Sequence, residues 1–222
     1  MTVLGIETST AVCSAGLADE SGPIAERSVV ESHIHSEKLL TLISELCEER
    51  KIELQKLDGV AVSIGPGSFT GLRIGLSTAK GLCYAVGKPL IAVPAFESSA
   101  EAFFLSHPKI KRVAVIADAK QGDYYMGGYE KTNGKISDFY PVRVGNLDEK
   151  IFAGAAETAV ITDRIDEIKK NADKCGVIDN ILSYCRGDII ARIAIEKLKN
   201  GTENAPEDLE PMYLKDFIVL KH

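Results

Sequence analysis

The sequence lacks the charge balance of a protein that grips nucleic acid by itself. Lys and Arg together number 26 against 32 Asp and Glu, for a net charge of −6. Phosphate neutralisation needs clustered basic side chains, so a partner must carry most of any RNA contact. It also lacks paired cysteines. Cys13, Cys47, Cys83, Cys175 and Cys185 are odd in number and widely spaced, and none forms a CxxC. That spacing indicates neither a zinc ribbon nor a redox motif. Scattered single cysteines fit a reducing compartment, where the residue behaves as a small hydrophobe. No apolar stretch approaches the roughly 18 residues of a membrane-spanning helix. No basic segment precedes the first apolar run, as it would in a signal peptide. The expectation is a cytoplasmic chain with no membrane association. There is no repeat of 20–50 residues and no low-complexity tract. What is present is ordinary: 222 residues, 45% hydrophobic and 26% charged, enough for one large or two small domains with a sizeable core.

Alternation and apolar runs predict strands at 3–6, 12–18 and 24–31, joined by polar turns. A helix follows, with Ser36 read as its N-cap and Leu39, Leu40, Ile43, Leu46 and Cys47 on one face. Val60-Ala61-Val62 marks a strand in a sheet interior. The spacing then predicts a helix over 70–86, stopped by Gly87-Lys88-Pro89, a strand at 90–93 and a helix at 95–105. Ser106-His107-Pro108 is the best boundary, dividing a first lobe, 1–105, from a second, smaller lobe with the tail, 106–222. The second half opens with strands at 112–117, 124–130 and 135–144, with a hairpin loop at Lys131-Thr132-Asn133-Gly134. A helix is expected over 181–198, and the tail over 209–220 ends apolar and should dock on the body. The order of three strands, helix, strand, helix, strand, helix resembles the core of the actin/hexokinase/Hsp70-type, ribonuclease H-like lobe. The expected fold is α/β, with two such lobes and the second abbreviated.

The most specific segment is Gly65-Pro66-Gly67-Ser68-Phe69-Thr70-Gly71-Leu72-Arg73-Ile74-Gly75. It links a buried strand to a helix. Gly65 and Gly67 permit unusual backbone angles, and Ser68 or Thr70 can cap the helix. Such a start favours an anion, so the segment reads either as a phosphate cradle or as a tight turn with no ligand. It is neither a P-loop nor a dinucleotide fingerprint. In the helix that follows, Gly71, Gly75, Ala79 and Cys83 recur every four residues. The stripe reads either as a subunit interface or as the contact of a central helix covered by the second lobe, and the interface is preferred. Gly5-Ile6-Glu7-Thr8-Ser9-Thr10 resembles the phosphate-facing hairpin of the actin-like lobe, or simply ends a strand. His33 and His35 lack a positioned third ligand, so surface or capping roles outweigh a metal site. Asp118 reads as a turn former. No local motif suggests a catalytic triad.

Gly5 to Thr10, the Gly65 to Gly75 segment, Asp118-Ala119-Lys120 and Pro211-Met212-Tyr213-Leu214-Lys215 together resemble the TsaB (YeaZ) family across the whole chain. Lys120 and Lys215 stand where that pattern has arginine, which keeps the charge but not a bidentate contact. The resemblance implies two actin-like lobes and no chemistry of the chain's own. It implies pairing with a TsaD-like catalytic subunit, joined by a TsaE-like ATPase, to make threonylcarbamoyladenosine on tRNAs that read codons starting with A. Transfer RNA is then met only through the complex, and the chain alone forms a homodimer. The partner surface implied is the two first-lobe helices. The residues assigned to it are Leu39, Ile43, Gly71, Leu72, Gly75, Leu76, Ala79 and Cys83. Glu7, Thr8, Ser9, Gly65, Gly67 and Ser68 are the candidates for weak ATP or ADP binding, with no cofactor required. TsaD-like chains carry a His-x-x-x-His pair after the strand that follows the glycine-rich helix. Here Ala95 and Ser99 hold those positions, so no metal and no metalloprotease activity are expected. The competing reading is a small actin-fold ATP-dependent phosphotransferase.

Overall fold

The computed structural model describes residues 1–172, 175–204 and 208–215; positions 216–220 of the expected tail lie outside the described residues. The first part of the chain forms β1 (Thr2–Glu7), β2 (Val12–Asp19), β3 (Gly22–Val30), α1 (His35–Arg50), β4 (Gly59–Ser63), α2 (Phe69–Val86), β5 (Leu90–Val93) and α3 (Ala95–Ser106). The second part forms β6 (Arg112–Asp118), β7 (Tyr124–Thr132), β8 (Lys135–Gly145), β9 (Thr158–Thr162), α4 (Ile165–Ile168), β10 (Ile178–Asn180) and α5 (Gly187–Lys199). Two five-stranded mixed sheets result, ordered β3-β2-β1-β4-β5 and β10-β9-β6-β7-β8. In each, an antiparallel meander supplies three strands and parallel pairing supplies the rest.

Strand alternation decides the layers. Leu4 and Ile6 of β1 pack with Leu39 and Ile43 of α1 and Leu76 and Ala79 of α2. Val3 points to the other face, where α3 and α5 join the first sheet to Val113 and Val115 of the second. The far face of the second sheet packs Ala114, Ile116 and Met126 against Ile151, Phe152 and Ile168. Helices α3 and α5 therefore lie between the sheets, while α1 and α2 cover the outer face of the first. The fit of α5 is close enough to exclude side chains: a Cβ at Gly16 would fall on the backbone of Asp188. A cut at Ser106 separates the two sheets but not these layers, because α5 packs chiefly on β1 and β2.

Three local expectations differ from what is observed. Ser36 is not the cap of α1; the helix begins at His35, and the N-cap, Ile34, offers no side-chain bond. His35 is instead buried, with Nε2 3.0 Å from the Thr10 carbonyl oxygen and 3.2 Å from that of Val12. The helix expected over 181–198 is broken into a 3-10 turn, Ile181–Tyr184, and α5. The break lets the chain pass from the second sheet back to the first. The buried interior strand β9 has no counterpart in the sequence reading. No helix among the described residues is long and apolar enough to cross a membrane.

Candidate functional site: the cleft between the lobes

Strand β1 ends beside the turn that leads from β4 into α2, and the two turns interlock. The Ser68 N–H donates to the Ser9 carbonyl at 2.7 Å. The Gly71 N–H reaches back to Ser68 Oγ at 3.3 Å, so Ser68 caps α2 as the sequence allowed. Gly65 takes a φ of 107°, and the Gly65–Pro66 peptide is cis. These turns form one wall of a cleft of about 840 Å³. The opposite wall is the end of β6 and its turn, with Asp118, Lys120 and Gln121. Ala95, Phe96 and Ser99 of α3 line it further, with Ile181, Leu182 and Cys185. Met212, Tyr213 and Lys215 of the tail complete it.

The electrostatics of the second wall are largely satisfied internally. Burial pushes the Asp118 carboxyl up. Bonds from Lys120 Nζ at 2.7 Å, the Lys120 N–H at 2.9 Å and Arg164 at 2.5 Å outweigh it and hold the group at about 2. Asp163 accepts the Asp118 N–H at 3.0 Å, and its own carboxyl is raised by burial. Cys185 is pushed up to about 12, chiefly by burial, so it stays a neutral thiol near pH 7. The one buried imidazole at the site, His35, faces carbonyls rather than a nucleophile. Hydroxyls and helix-start N–H groups on one side, apolar side chains of α3 and the 3-10 turn, and a tied Asp–Arg–Lys cluster opposite make a place that can hold a polar ligand. No nucleophile–base pair is assembled among the described residues that line it. The same residues hold no group of three His, Cys, Asp or Glu that could bind a metal ion.

Of the residues assigned to nucleotide, Ser9, Gly67 and Ser68 line the cleft. Glu7, Thr8 and Gly65 do not, and that part of the assignment is corrected. Glu7 is 1% exposed and turns inward. Its Oε1 accepts the Ser9 N–H at 2.5 Å, and Oε2 has no partner among the described residues. Burial raises its carboxyl against hydrogen bonds from Ser9 and Ser63 that lower it. Gly65 sits behind the wall, near Leu72 and the Met212 carbonyl.

The partner-facing assignment needs a larger correction. Leu39, Ile43, Gly71, Leu72, Gly75, Leu76, Ala79 and Cys83 are all buried inside the chain. The small stripe of α2 faces the end of β1: a Cβ at Gly71 would fall on the Thr8 carbonyl oxygen, and one at Gly75 on Thr8 Oγ1. The glycines let the helix approach its own sheet, so no partner can reach them. The outward side of α2 carries Arg73, Ser77, Gly81 and Tyr84 instead. Tyr84 is 69% exposed and Leu40 of α1 60%. A groove of about 490 Å³ opens between α1, the turn at 51–54 and Leu82 of α2.

Comparison with known proteins fits this architecture. The family model for TsaD, tRNA N6-adenosine threonylcarbamoyltransferase, matches residues 29–185, well over half the chain. The TsaB of Haemophilus influenzae, named as a tRNA threonylcarbamoyladenosine biosynthesis protein, is 30% identical over 145 residues. That of Buchnera aphidicola is 26% identical over 219 residues, covering 97% of this chain and 98% of its own. The chain belongs to the TsaB/YeaZ family. The Haemophilus alignment takes in 64% of this chain and 61% of the relative, and that with the Bacillus subtilis TsaB 64% and 60%, so each spans about three fifths of the curated protein. The solved YeaZ of Pseudomonas aeruginosa superposes with a TM-score of 0.78 at 24% identity, over 96% of this chain and 99% of that one. An ADPNP-bound dehydratase activator from Clostridium difficile shares the fold at a TM-score of 0.51 and 6% identity, over 92% of this chain and 99% of its own. The two-lobed actin-like α/β fold expected from the TsaB resemblance is the one observed. What the sequence did not show is that the tail of a TsaB-like chain completes the cleft. The apolar end predicted docking on the body, and neither it nor the Pro211 to Lys215 motif says where the tail docks.

Proposed function

We propose that the chain is the non-catalytic, TsaD-binding subunit of the assembly that installs threonylcarbamoyl on the adenosine next to the anticodon of tRNAs reading codons that start with A. The observation that carries this reading is at the start of α3. Ala95 and Ser99, one helical turn apart, line the cleft where the resemblance places two imidazoles in TsaD-like chains. A methyl group and a hydroxyl do not replace them, so the transfer chemistry belongs to the partner. The TsaB names of the relatives support the same reaction sequence. The partner face is the outer side of α1 and α2, with Leu40 and Tyr84 as its apolar anchors. A TsaE-like ATPase joins the pair, and tRNA is reached through the complex, in keeping with a net charge of −6. The same face pairs two copies when the partner is missing. Reconstitution of tRNA modification with the host's TsaD homologue, with and without this chain, tests the proposal. Full modification in its absence would end it.

A second reading, an ATP-dependent phosphotransferase, has one observation in its favour. Ser9, Gly67 and Ser68 stand together at the start of the 18-residue helix α2, a favourable place for a phosphate. Weak ATP or ADP binding there without turnover fits the accessory role. Steady ATP hydrolysis by the pure chain would favour the enzyme instead.

A further inference from the structure

We infer that residues 209–215 form a strap that holds the two lobes together across the cleft, and that its Lys215 end is the part that releases. The strap is anchored unequally. On the first lobe, Leu209 is buried in the core beneath α1 and α2. The Met212 N–H donates to the Ile64 carbonyl at 2.7 Å. The Tyr213 hydroxyl accepts from Arg73 Nε at 2.9 Å, its ring lies 5.2 Å from that of Phe69, and the Arg73 guanidinium sits 3.8 Å above Phe69. On the second lobe the hold comes, among the described residues, from one side chain. Lys215 Nζ donates to the Ala119 carbonyl at 3.3 Å, the Lys120 carbonyl at 2.9 Å and Asp123 Oδ2 at 2.8 Å, which uses all three ammonium hydrogens. The lobes are also joined through the layer of α3 and α5, where Glu101 holds Lys131 and Arg192, and through the chain connections at 107–111 and 181–186.

Apolar burial, a backbone bond and a tilted aromatic contact on one side thus face, among the described residues, a single ammonium on the other. Of the two ends, the second breaks first, because its hold is polar throughout and stays partly open to water, which can replace each bond. Access to the cleft is then set by the Lys215–Asp123 link. Because Arg73 also belongs to the outward side of α2, the closed strap and the outer face share a residue.

Cys185 supplies a reporter, since it lines the cleft and is 3% exposed in the closed form. Cys13 and Cys83 lie in the core under α1 and α2 and report general loosening. The full chain and its Lys215→Met and Asp123→Asn variants are treated with N-ethylmaleimide at pH 7, and each cysteine's rate is read by peptide mass spectrometry. Losing a hydrogen bond to a charged group shifts an opening equilibrium by roughly tenfold. Lys215→Met, which removes all three bonds, should label Cys185 at least about tenfold faster, and Asp123→Asn, which loses the charge but keeps an accepting oxygen, should label it faster by a smaller factor, with Cys13 and Cys83 unchanged in both. An unchanged Cys185 rate in both variants, or a parallel rise of all three cysteines, overturns the inference. Asp123→Asn keeps the test open if Lys215→Met does not fold.

Discussion

Substituting the glycines of α2 one at a time separates close helix-to-sheet packing from any need of a partner. Alanine in place of glycine inside a helix gains about 1 kcal/mol from propensity alone. Gly81 is solvent-facing, and a Cβ there meets nothing within 4 Å, so Gly81→Ala should realise that gain. At Gly75 the new methyl lands on Thr8 Oγ1, with the Thr8 Cβ and Cγ2 close behind it. Overpacking costs about 1–3 kcal/mol, which cancels or exceeds the propensity gain. The two variants should therefore differ by about 1–3 kcal/mol in the same helix. Gly71→Ala should be at least as harmful as Gly75→Ala, because its obstacle is the Thr8 carbonyl, which cannot rotate away. Thr8→Ala removes the hydroxyl that blocks residue 75, so the Gly75→Ala/Thr8→Ala pair should recover about 1–2 kcal/mol through coupling. Thr8 Oγ1 has no hydrogen-bond partner among the described residues, so its removal costs little by itself. Urea denaturation of the chain alone reads all of this as shifts in midpoint at constant slope. If Gly75→Ala proved as stabilising as Gly81→Ala, the close approach of α2 to β1 would be refuted.

Two further outcomes follow from the same geometry. The Glu7 carboxyl is raised above its ordinary value of 4.5 by burial, so the native state holds that proton more tightly than the unfolded chain does. Its contribution to stability is complete below about pH 4.5 and is lost as pH rises through the folded value. Glu7→Gln keeps the neutral shape, so its stability relative to the native sequence should climb between pH 4.5 and 8 in urea titrations; a flat difference contradicts the assignment. Ser68→Ala deletes the N-cap of α2 and should lower the unfolding free energy by about 1 kcal/mol, with Ser68→Asp restoring most of it.

The first sheet, the opening meander of the second and most helices were legible because their signals are local. Val60-Ala61-Val62 could only be an interior strand, and Gly87-Lys88-Pro89 does end α2, with Gly87 left-handed at a φ of 65°. The turn at Asn133-Gly134 carries the two positive φ values, 53° and 80°, that a tight hairpin requires. The layers were less legible. A four-residue spacing of small side chains says that something approaches closely, but not whether it is another subunit or the chain's own β1. The decisive contact, Thr8 against Gly71 and Gly75, joins residues more than sixty positions apart, beyond any local pattern. Likewise, Glu7 looked able to meet a phosphate because it ends a strand beside hydroxyls, yet the turn of Ser9 over it closes it off. Strand β9 lies among short turns that hid its five buried residues.

In the proposed function the TsaD-like partner docks on the outer face of α1 and α2. Titration calorimetry of that partner against Leu40→Glu/Tyr84→Ala, with Leu105→Glu on α3 as the exposed control, addresses this directly. Truncating apolar anchors at the centre of an interface costs about 2 kcal/mol or more, so affinity should fall at least about tenfold for the double variant and stay unchanged for the control. Undiminished affinity of the double variant would contradict it.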